Sequence, residues 1–253
     1  MARRVVITGG ASGIGRTIAE RFTALGDRVA ICEASADHIA EVQAQMPEAI
    51  SVQADVTDER QMQAFFDQVT AAYGGLDVMV SNAGIGGPAG SIETLKLKDW
   101  RRCLSVNLDG AFLACGWAAE LMRAQKSGLI LLMSSTSGLY GVPNRAPYVA
   151  AKWGLVGLAK TLAMELGPAG VRVNAICPGA VEGARMDQVL AMESDFTGRP
   201  AAQIEAQYSQ GVSLRRFVSP EDIADMAVFL ASDAARQITG QAMAVDGHTE
   251  RMV

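Results

Sequence analysis

Short β-branched and aliphatic runs recur along the chain, separated by longer stretches in which apolar residues return every three or four positions. The runs are RVVIT (4–8), RVAIC (28–32), ISVQA (50–54), LDVMVS (76–81), LILLMS (129–134), VRVNAI (171–176) and AMAVD (242–246). Helical periodicity fills the intervals Ile14 to Leu25, Glu59 to Tyr73, Trp100 to Gln125, Tyr148 to Leu166 and Pro220 to Leu230. Ser219 predicts an N-cap for the last of these, with Pro220 in its first turn. The runs are almost continuously hydrophobic, as strands are when helices cover both faces of a parallel sheet. Right-handed crossovers then predict an α/β fold: a single domain over 1–253 built on a doubly wound parallel sheet with helices on both faces. Ligands are expected beyond the carboxyl ends of its strands, near the topological switch. The segment Glu182 to Val212, rich in Met, Gln and Ala and containing Gly198 and Pro200, predicts a partly helical loop that covers the site as a lid.

Composition narrows the classes of partner. With 253 residues, 49% hydrophobic and 19% charged, the chain is long enough for one large core. A net charge of −5 provides no basic face for phosphate neutralisation, so no nucleic-acid partner is expected. No apolar stretch approaches the roughly 20 residues needed to span a bilayer, and the chain enters a strand at once (ARRVVITGG) with no signal-peptide pattern. A cytoplasmic protein with no membrane partner is expected. Cys32, Cys103, Cys115 and Cys177 are scattered without CxxC spacing, and His38 and His248 have no ligand-spaced acid or thiol, so no metal site and no histidine-based triad is expected.

The first strand runs into TGGASGIG, Thr8 to Gly15, and then into a helix. Glycines at 9, 13 and 15 allow a tight turn, close approach of backbone to a pyrophosphate, and close packing of helix on strand. The N–H groups of Ser12, Gly13 and Ile14 and the helix dipole favour phosphate there. Glu33 ends the second strand, where a carboxylate can accept from the adenosine ribose hydroxyls and repels a 2′-phosphate. These features predict a Rossmann-like nucleotide site preferring NAD over NADP.

With these motifs in place the chain resembles the short-chain dehydrogenase/reductase family, in its subgroup of about 250 residues, over essentially its whole length. The TGxxxGxG motif stands at Thr8, Gly9, Gly13 and Gly15. The NAG element is Asn82, Ala83 and Gly84, the active-site asparagine is Asn107, the catalytic serine is Ser135, YxxxK is Tyr148 and Lys152, and the PG element is Pro178 and Gly179. The resemblance implies that Asp55 and Val56 flank the adenine and that the backbone near Val181 meets the nicotinamide carboxamide. It also implies a homo-oligomer, most often a homotetramer, built on the helices around Trp100 to Gln125 and Tyr148 to Leu166. Apolar residues there include Leu108, Phe112, Trp117, Leu155 and Leu158, more than one face against a sheet requires. One position departs from the family: PGAVEG places Gly183 where many relatives carry a threonine, and Arg185 is the nearest candidate for a replacement contact, to phosphate or to substrate.

The chemistry follows from residue type. A tyrosine with a pKa near about 10 needs a neighbouring cation to act as a proton acceptor at neutral pH. Lys152, one helical turn on, supplies it. Tyr148 then takes the alcohol proton as hydride passes to the nicotinamide, and returns it in the reverse direction. Ser135 orients the substrate oxygen, Asn107 holds a water that joins Lys152 to solvent, and Lys152 holds the nicotinamide ribose as it does in relatives. Ser137, Leu139, Tyr140, Arg145, Arg185 and the lid are expected to line the substrate pocket opposite Gly86 to Pro88, the two arginines suiting an anionic or hydroxyl-rich molecule. The expected activity is NAD-dependent interconversion of a secondary alcohol and a ketone on a small polar molecule such as a polyol, sugar or hydroxy acid. Two alternatives stand beside it: a 3-oxoacyl thioester (acyl-carrier-protein) reductase, and a non-catalytic nucleotide-binding subunit.

Overall fold

The computed structural model describes residues 2–251. Seven strands, β1 (Arg4–Thr8), β2 (Arg28–Glu33), β3 (Ile50–Gln53), β4 (Val78–Ser81), β5 (Gly128–Met133), β6 (Val171–Pro178) and β7 (Ala242–Val245), form one sheet in the order β3-β2-β1-β4-β5-β6-β7. Every pairing is parallel, and β1 is flanked by β2 on one side and β4 on the other. The order reverses between β1 and β4, which opens a crevice at their carboxyl ends.

Nine α-helices cover the sheet among the described residues: α1 (Gly13–Ala24), α2 (Ala36–Gln45), α3 (Glu59–Tyr73), α4 (Leu97–Leu104), α5 (Gly110–Gln125), α6 (Ala146–Leu166), α7 (Ala184–Thr197), α8 (Ala201–Gln210) and α9 (Pro220–Leu230). The two faces of the sheet bury different cores. Val6 joins Phe65, Phe66, Met122 and Leu155 beneath α3, α5 and α6, whereas Val5 and Ile7 join Ile18, Phe22, Ile223 and Leu230 beneath α1 and α9. Because successive strand side chains point to opposite faces, burial on both sides demands the unbroken apolar runs seen in the sequence. Each fully buried aliphatic or aromatic side chain contributes about 1.5–3 kcal/mol relative to exposure.

Local signals set the ends of these helices. Ser219 accepts from Asp222 N while Asp222 returns the bond to Ser219 N, a capping box that stabilises the start of α9 by about 1 kcal/mol. Gly74 closes α3 in the left-handed region at φ 65°.

The helix expected over Trp100 to Gln125 begins earlier, at Leu97, and is interrupted. Residues Ser105–Asp109 form a π turn between α4 and α5. The cause lies in one side chain: Asn107 Nδ2 donates to Cys103 O at 2.8 Å, the carbonyl that a regular helix would offer to the Asn107 amide. The helix expected from Tyr148 starts one half-turn earlier, with Pro147 inside its first turn. The segment Glu182 to Val212 contains two helices, α7 and α8, whose Met186, Leu190 and Ile204 form a small core of their own with Tyr208 and Phe217. Among the described residues no helix is long and apolar enough to cross a membrane.

The apolar surplus on α5 and α6 is smaller than the sequence suggests. Leu155 is buried in the core, and Trp117 stacks on Phe66 with ring centroids 4.4 Å apart. Phe112, Trp153 and Met164 are the exposed large apolar side chains on these two helices.

Candidate active site

The glycine-rich turn does what its composition requires. Gly9 (φ 61°) and Gly13 (φ 49°) occupy the left-handed region, and a Cβ on Gly15 would lie 2.1 Å from Gly9 O. Asn82 Nδ2 donates to Gly9 O at 2.8 Å and to Thr8 O at 3.2 Å, while the Thr8 hydroxyl accepts from Asn82 N and Ala83 N at 3.1 Å each. This ties the TG and NAG segments together across the switch point. Ser12 precedes α1 with no side-chain capping bond, and no acid sits in the first turn, so the N–H groups there face the crevice without internal competition. A dinucleotide's phosphates fit this geometry.

Glu33 folds toward its own turn, where one carboxylate oxygen accepts from Ala34 N at 2.8 Å and Ser35 N at 3.4 Å. Its second oxygen forms no hydrogen bond among the described residues. Arg16, the cation nearest in sequence to the turn, is engaged by Glu20 at 2.9 Å, Glu41 at 3.2 Å and Gln45. Asp55 accepts from Thr57 N, Thr57 Oγ1 and Arg102; burial pushes its carboxyl up, and these bonds outweigh that and hold it below 3.8. Val56 is buried against Gly110, where a Cβ would approach within 2.8 Å. Ile14 packs at the edge of the α1 core.

At the carboxyl end of β5, Ser134 donates to Lys152 O at 2.8 Å, and a Cβ on Gly138 would stand 2.4 Å from Ser134 Oγ. This close approach seats α6 against the strand end and brings Tyr148 beside Ser135. Ser135 Oγ also accepts from Ser137 N at 3.1 Å, which orients the hydroxyl. Lys152 is buried, donates to Met133 O at 2.9 Å, and places Nζ 5.4 Å from the centroid of the Tyr148 ring. The guanidinium carbons of Arg145 and Arg185 lie 5.5 and 6.0 Å from the same centroid. Burial would raise the Tyr148 phenol, but the charges of Lys152 and Arg185, a hydrogen bond with Ser135 and the charge of Arg145 together bring it below 10.0. Burial lowers the Lys152 ammonium from 10.5, partly opposed by Tyr148.

Asn107 is buried with Nδ2 committed to Ile85 O (2.9 Å) and Cys103 O (2.8 Å), and its Oδ1 has no partner. That oxygen and Lys152 Nζ both face Gly84: a Cβ there would come within 2.6 and 3.4 Å of them. An orphaned buried acceptor beside a buried ammonium is suited to an ordered water. Gly179 is equally confined, since its Cβ would lie 2.8 Å from Asp246 Cβ. Beyond Pro178, Val181 bridges to Val218 ahead of the segment that carries α7 and α8. Gly183 precedes α7 at φ 117°, a conformation that strains any residue with a side chain. With glycine here no side-chain hydroxyl is offered, and Arg185 reaches in from the next turn to donate to Gly84 O at 3.2 Å. Ser137 is buried, Leu139 is half-buried, and Tyr140 is exposed at the rim.

The structure thus gathers Ser135, Tyr148, Lys152 and Asn107 around one opening and places the glycine-rich turn at the other end of the crevice. The carbonyls of Met133 and Gly86, which anchor Lys152 and Arg145, carry no signal in the sequence because any residue supplies them. Among the described residues no three His, Cys, Asp or Glu side chains converge as a metal site would require. His248 Nδ1 lies 2.7 Å from Ser213 Oγ, and that hydroxyl donates to Glu250 at 2.9 Å. The serine stands between acid and imidazole, so the acid does not orient the histidine as in a catalytic triad.

Sheet order and site position define an α/β protein of the doubly wound, Rossmann class. The family model described as Enoyl-(Acyl carrier protein) reductase matches residues 9–248. The 3-oxoacyl-(acyl-carrier-protein) reductase FabG of Staphylococcus aureus is 34% identical over 252 residues, covering 98% of each chain. The 2-(S)-hydroxypropyl-CoM dehydrogenase 3 of Xanthobacter autotrophicus is 38% identical over 248 residues, 96% of this chain and 94% of that one. Among solved structures, NAD⁺-bound xylitol dehydrogenase superposes with a TM-score of 0.93 at 26% identity, covering 97% of this chain and 98% of that one. An actinorhodin polyketide ketoreductase with NADPH gives 0.93 at 32% identity, covering 97% and 96%. The chain belongs to the short-chain dehydrogenase/reductase family, whose members bind nicotinamide dinucleotides.

Proposed function

We propose that this protein is an NAD-linked oxidoreductase that interconverts a secondary alcohol and a ketone on a small polar substrate. The observation that carries the reading is geometric: Lys152, held by Met133 O, places its ammonium 5.4 Å from the centre of the Tyr148 ring beside Ser135, an arrangement that, against the effect of burial, lowers the phenol from its ordinary value. The glycine-rich turn, the Thr8–Asn82 cross-tie, Lys152 and the loop at Pro178, Gly179 and Val181 would hold the dinucleotide, and Asp55 and Val56 would border its adenine. When bound, that group supplies the hydride acceptor or donor.

The chain's own residues handle the oxygen and the proton. Ser135 donates to the substrate oxygen and sets it beside the phenol. Tyr148 Oη accepts the carbinol proton during oxidation and donates it to the developing alkoxide during reduction. Lys152 stabilises the phenolate, and the buried Asn107 Oδ1 holds a water through which the proton reaches solvent. Preference for NAD rests on the second oxygen of Glu33 and on the engagement of Arg16 by acids, which leaves no free cation at the turn for a 2′-phosphate.

Reduction of a 3-oxoacyl thioester is the second reading, favoured by the full-length likeness to the Staphylococcus aureus reductase. Following absorbance of the reduced cofactor with acetoacetyl thioester against small hydroxy acids and polyols, with both dinucleotides, separates the two. Faster turnover of the thioester with NADPH would replace the first reading by the second. Measurable dinucleotide binding with no Tyr148-dependent turnover of any of them would favour a non-catalytic subunit. We further expect a homotetramer assembled on α5 and α6 through Phe112, Trp153 and Met164; a monomer in light scattering at micromolar concentration would contradict that.

A further inference from the structure

We propose that the substrate carries a compact oxyanion, a carboxylate or a sulfonate a few bonds from its carbinol carbon, and that Arg145 and Arg185 hold it while Tyr148 handles the carbinol proton. The inference rests on the alcohol/ketone reading above and names the substrate class for it.

Arg145 is 9% exposed, yet no carboxylate pairs with it among the described residues. Its contacts are neutral: Nη2 donates to Gly86 O at 3.2 Å and Nη1 approaches Met192 Sδ at 3.9 Å. A guanidinium has five N–H donors, so most of this buried cation's hydrogen-bonding capacity is unmatched by protein, and its charge meets only the Tyr148 ring. Arg185, exposed at the start of α7, likewise pairs with no carboxylate and donates to Gly84 O. Several arginines elsewhere pair with acids, as in Arg3–Asp27, Arg4–Asp77 and Arg102–Asp55, and those that bond only backbone carbonyls, such as Arg28 and Arg172, are less buried than Arg145. On the lid, Glu193 accepts from Tyr208 at 2.7 Å and forms no ion pair.

Position converts this excess charge into a site. Both guanidinium groups and the Lys152 ammonium surround one tyrosine ring, so three cations converge on the reacting phenol with no carboxylate among them. Lys152 is bonded into the strand end, whereas the two arginines are each tied to one backbone carbonyl of the Gly84–Gly86 loop and have further N–H donors without a partner among the described residues. Two planar forks held this way suit bidentate recognition of a planar or tetrahedral oxyanion. A neutral polyol would leave three cations facing at most the single charge of the Tyr148 phenolate. The lid takes part directly: α7 carries Arg185, and its Met192 touches Arg145, so anion binding and lid placement act on the same two side chains.

The test uses the dead-end complex of the full-length enzyme with NADH, which cannot oxidise an alcohol. Calorimetric titration with 3-hydroxybutyrate, 3-hydroxybutane-1-sulfonate and 3-hydroxybutyramide separates carboxylate, sulfonate and the uncharged control. At least one anion should bind about 30-fold or more tightly than the amide, and R145Q and R185Q should each reduce that preference about tenfold or more. NADH affinity, read by its fluorescence, should stay within about twofold of the unaltered protein. Equal binding of anion and amide, failure of both anions to bind, or a preference unchanged in R145Q and R185Q would overturn the proposal. So would variants that weaken NADH in place of the anion, since the arginines would then serve the dinucleotide. The redox reading is judged separately, by turnover of any alcohol and its loss in Tyr148→Phe.

Discussion

Lys152 Nζ stands 5.4 Å from the centre of the Tyr148 ring and is fixed there by donating to Met133 O at 2.9 Å. The pair therefore depends on three elements at once: the helical turn that separates the two residues, the carboxyl end of β5, and the Ser134 hydroxyl that joins that strand end to Lys152 O. Each group biases the other. The ammonium favours phenolate, the phenolate favours ammonium, and burial opposes both charges.

A pH profile follows with a defined sign. Alcohol oxidation requires unprotonated Tyr148, so kcat/KM rises with pH and levels off above a midpoint lying below 10.0. Ketone reduction requires the protonated phenol and falls with pH through the same midpoint. Arg185→Gln removes one of the charges that hold the phenol down, so both midpoints move upward. Initial rates in each direction between about pH 6 and 10 check this; a midpoint that stays in place in the variant would contradict the assignment.

Gly84 is predicted to tolerate no side chain. A Cβ there would meet Asn107 Oδ1 at 2.6 Å and Lys152 Nζ at 3.4 Å, occupying the space where a water is expected. Gly84→Ala should lower kcat about 100-fold or more, since a displaced catalytic group costs on that order, with thermal stability changed far less than activity. Unaltered kcat in a folded variant would show that this space has no part in turnover.

Acid stability has a separate origin. Two hydrogen bonds from the Arg4 side chain, at 2.9 and 2.8 Å, hold the Asp77 carboxyl below 3.8, against a partial rise from burial. A carboxyl depressed in the folded state contributes stability that is complete above its unfolded value and is lost as pH falls through the folded one. Arg4→Ala should therefore cost about 1 kcal/mol near neutral pH. The gap in Tm from the unaltered protein should narrow below about pH 3. Thermal melts at the two pH values measure it, and a gap independent of pH would point to packing instead.

Much of the architecture was legible because its causes are local. Strands buried on both faces must be apolar throughout, and Val5, Val6 and Ile7 show why, pointing alternately into two cores. The catalytic candidates were legible as residue types at fixed spacing. What escaped depends on tertiary contacts. Helix α2 buries only Ile39 and Val42, too sparse a pattern to announce a helix. The π turn at Ser105–Asp109 exists because the Asn107 side chain takes the Cys103 carbonyl. Leu155 and Trp117 looked like surplus for an interface, yet both find partners within the chain. Gly183 was legible as a missing hydroxyl, but its φ of 117° was not, because a positive φ is set by the tertiary path of the loop into α7.

Cofactor choice is predicted to turn on Glu33. Its carboxylate ends β2 with one oxygen held by Ala34 N and the other without a protein partner. Glu33→Ser removes the like charge that opposes a 2′-phosphate and the acceptor for the ribose hydroxyls. The ratio of kcat/KM for NAD⁺ over NADP⁺ should fall about 10- to 100-fold. A ratio that does not move would transfer selectivity to another part of the turn.

Tyr148→Phe is the decisive variant, because proton transfer in the proposed nicotinamide-linked reaction falls to the Tyr148 phenol. NADH formation from NAD⁺ is measured across secondary alcohols, polyols and hydroxy acids for both proteins, with NADH affinity determined in parallel by fluorescence. The unaltered protein should turn over at least one alcohol, and the variant should show a fall in kcat of about 100- to 10,000-fold with NADH affinity close to that of the unaltered protein. Equal turnover by the two proteins would contradict that role of Tyr148.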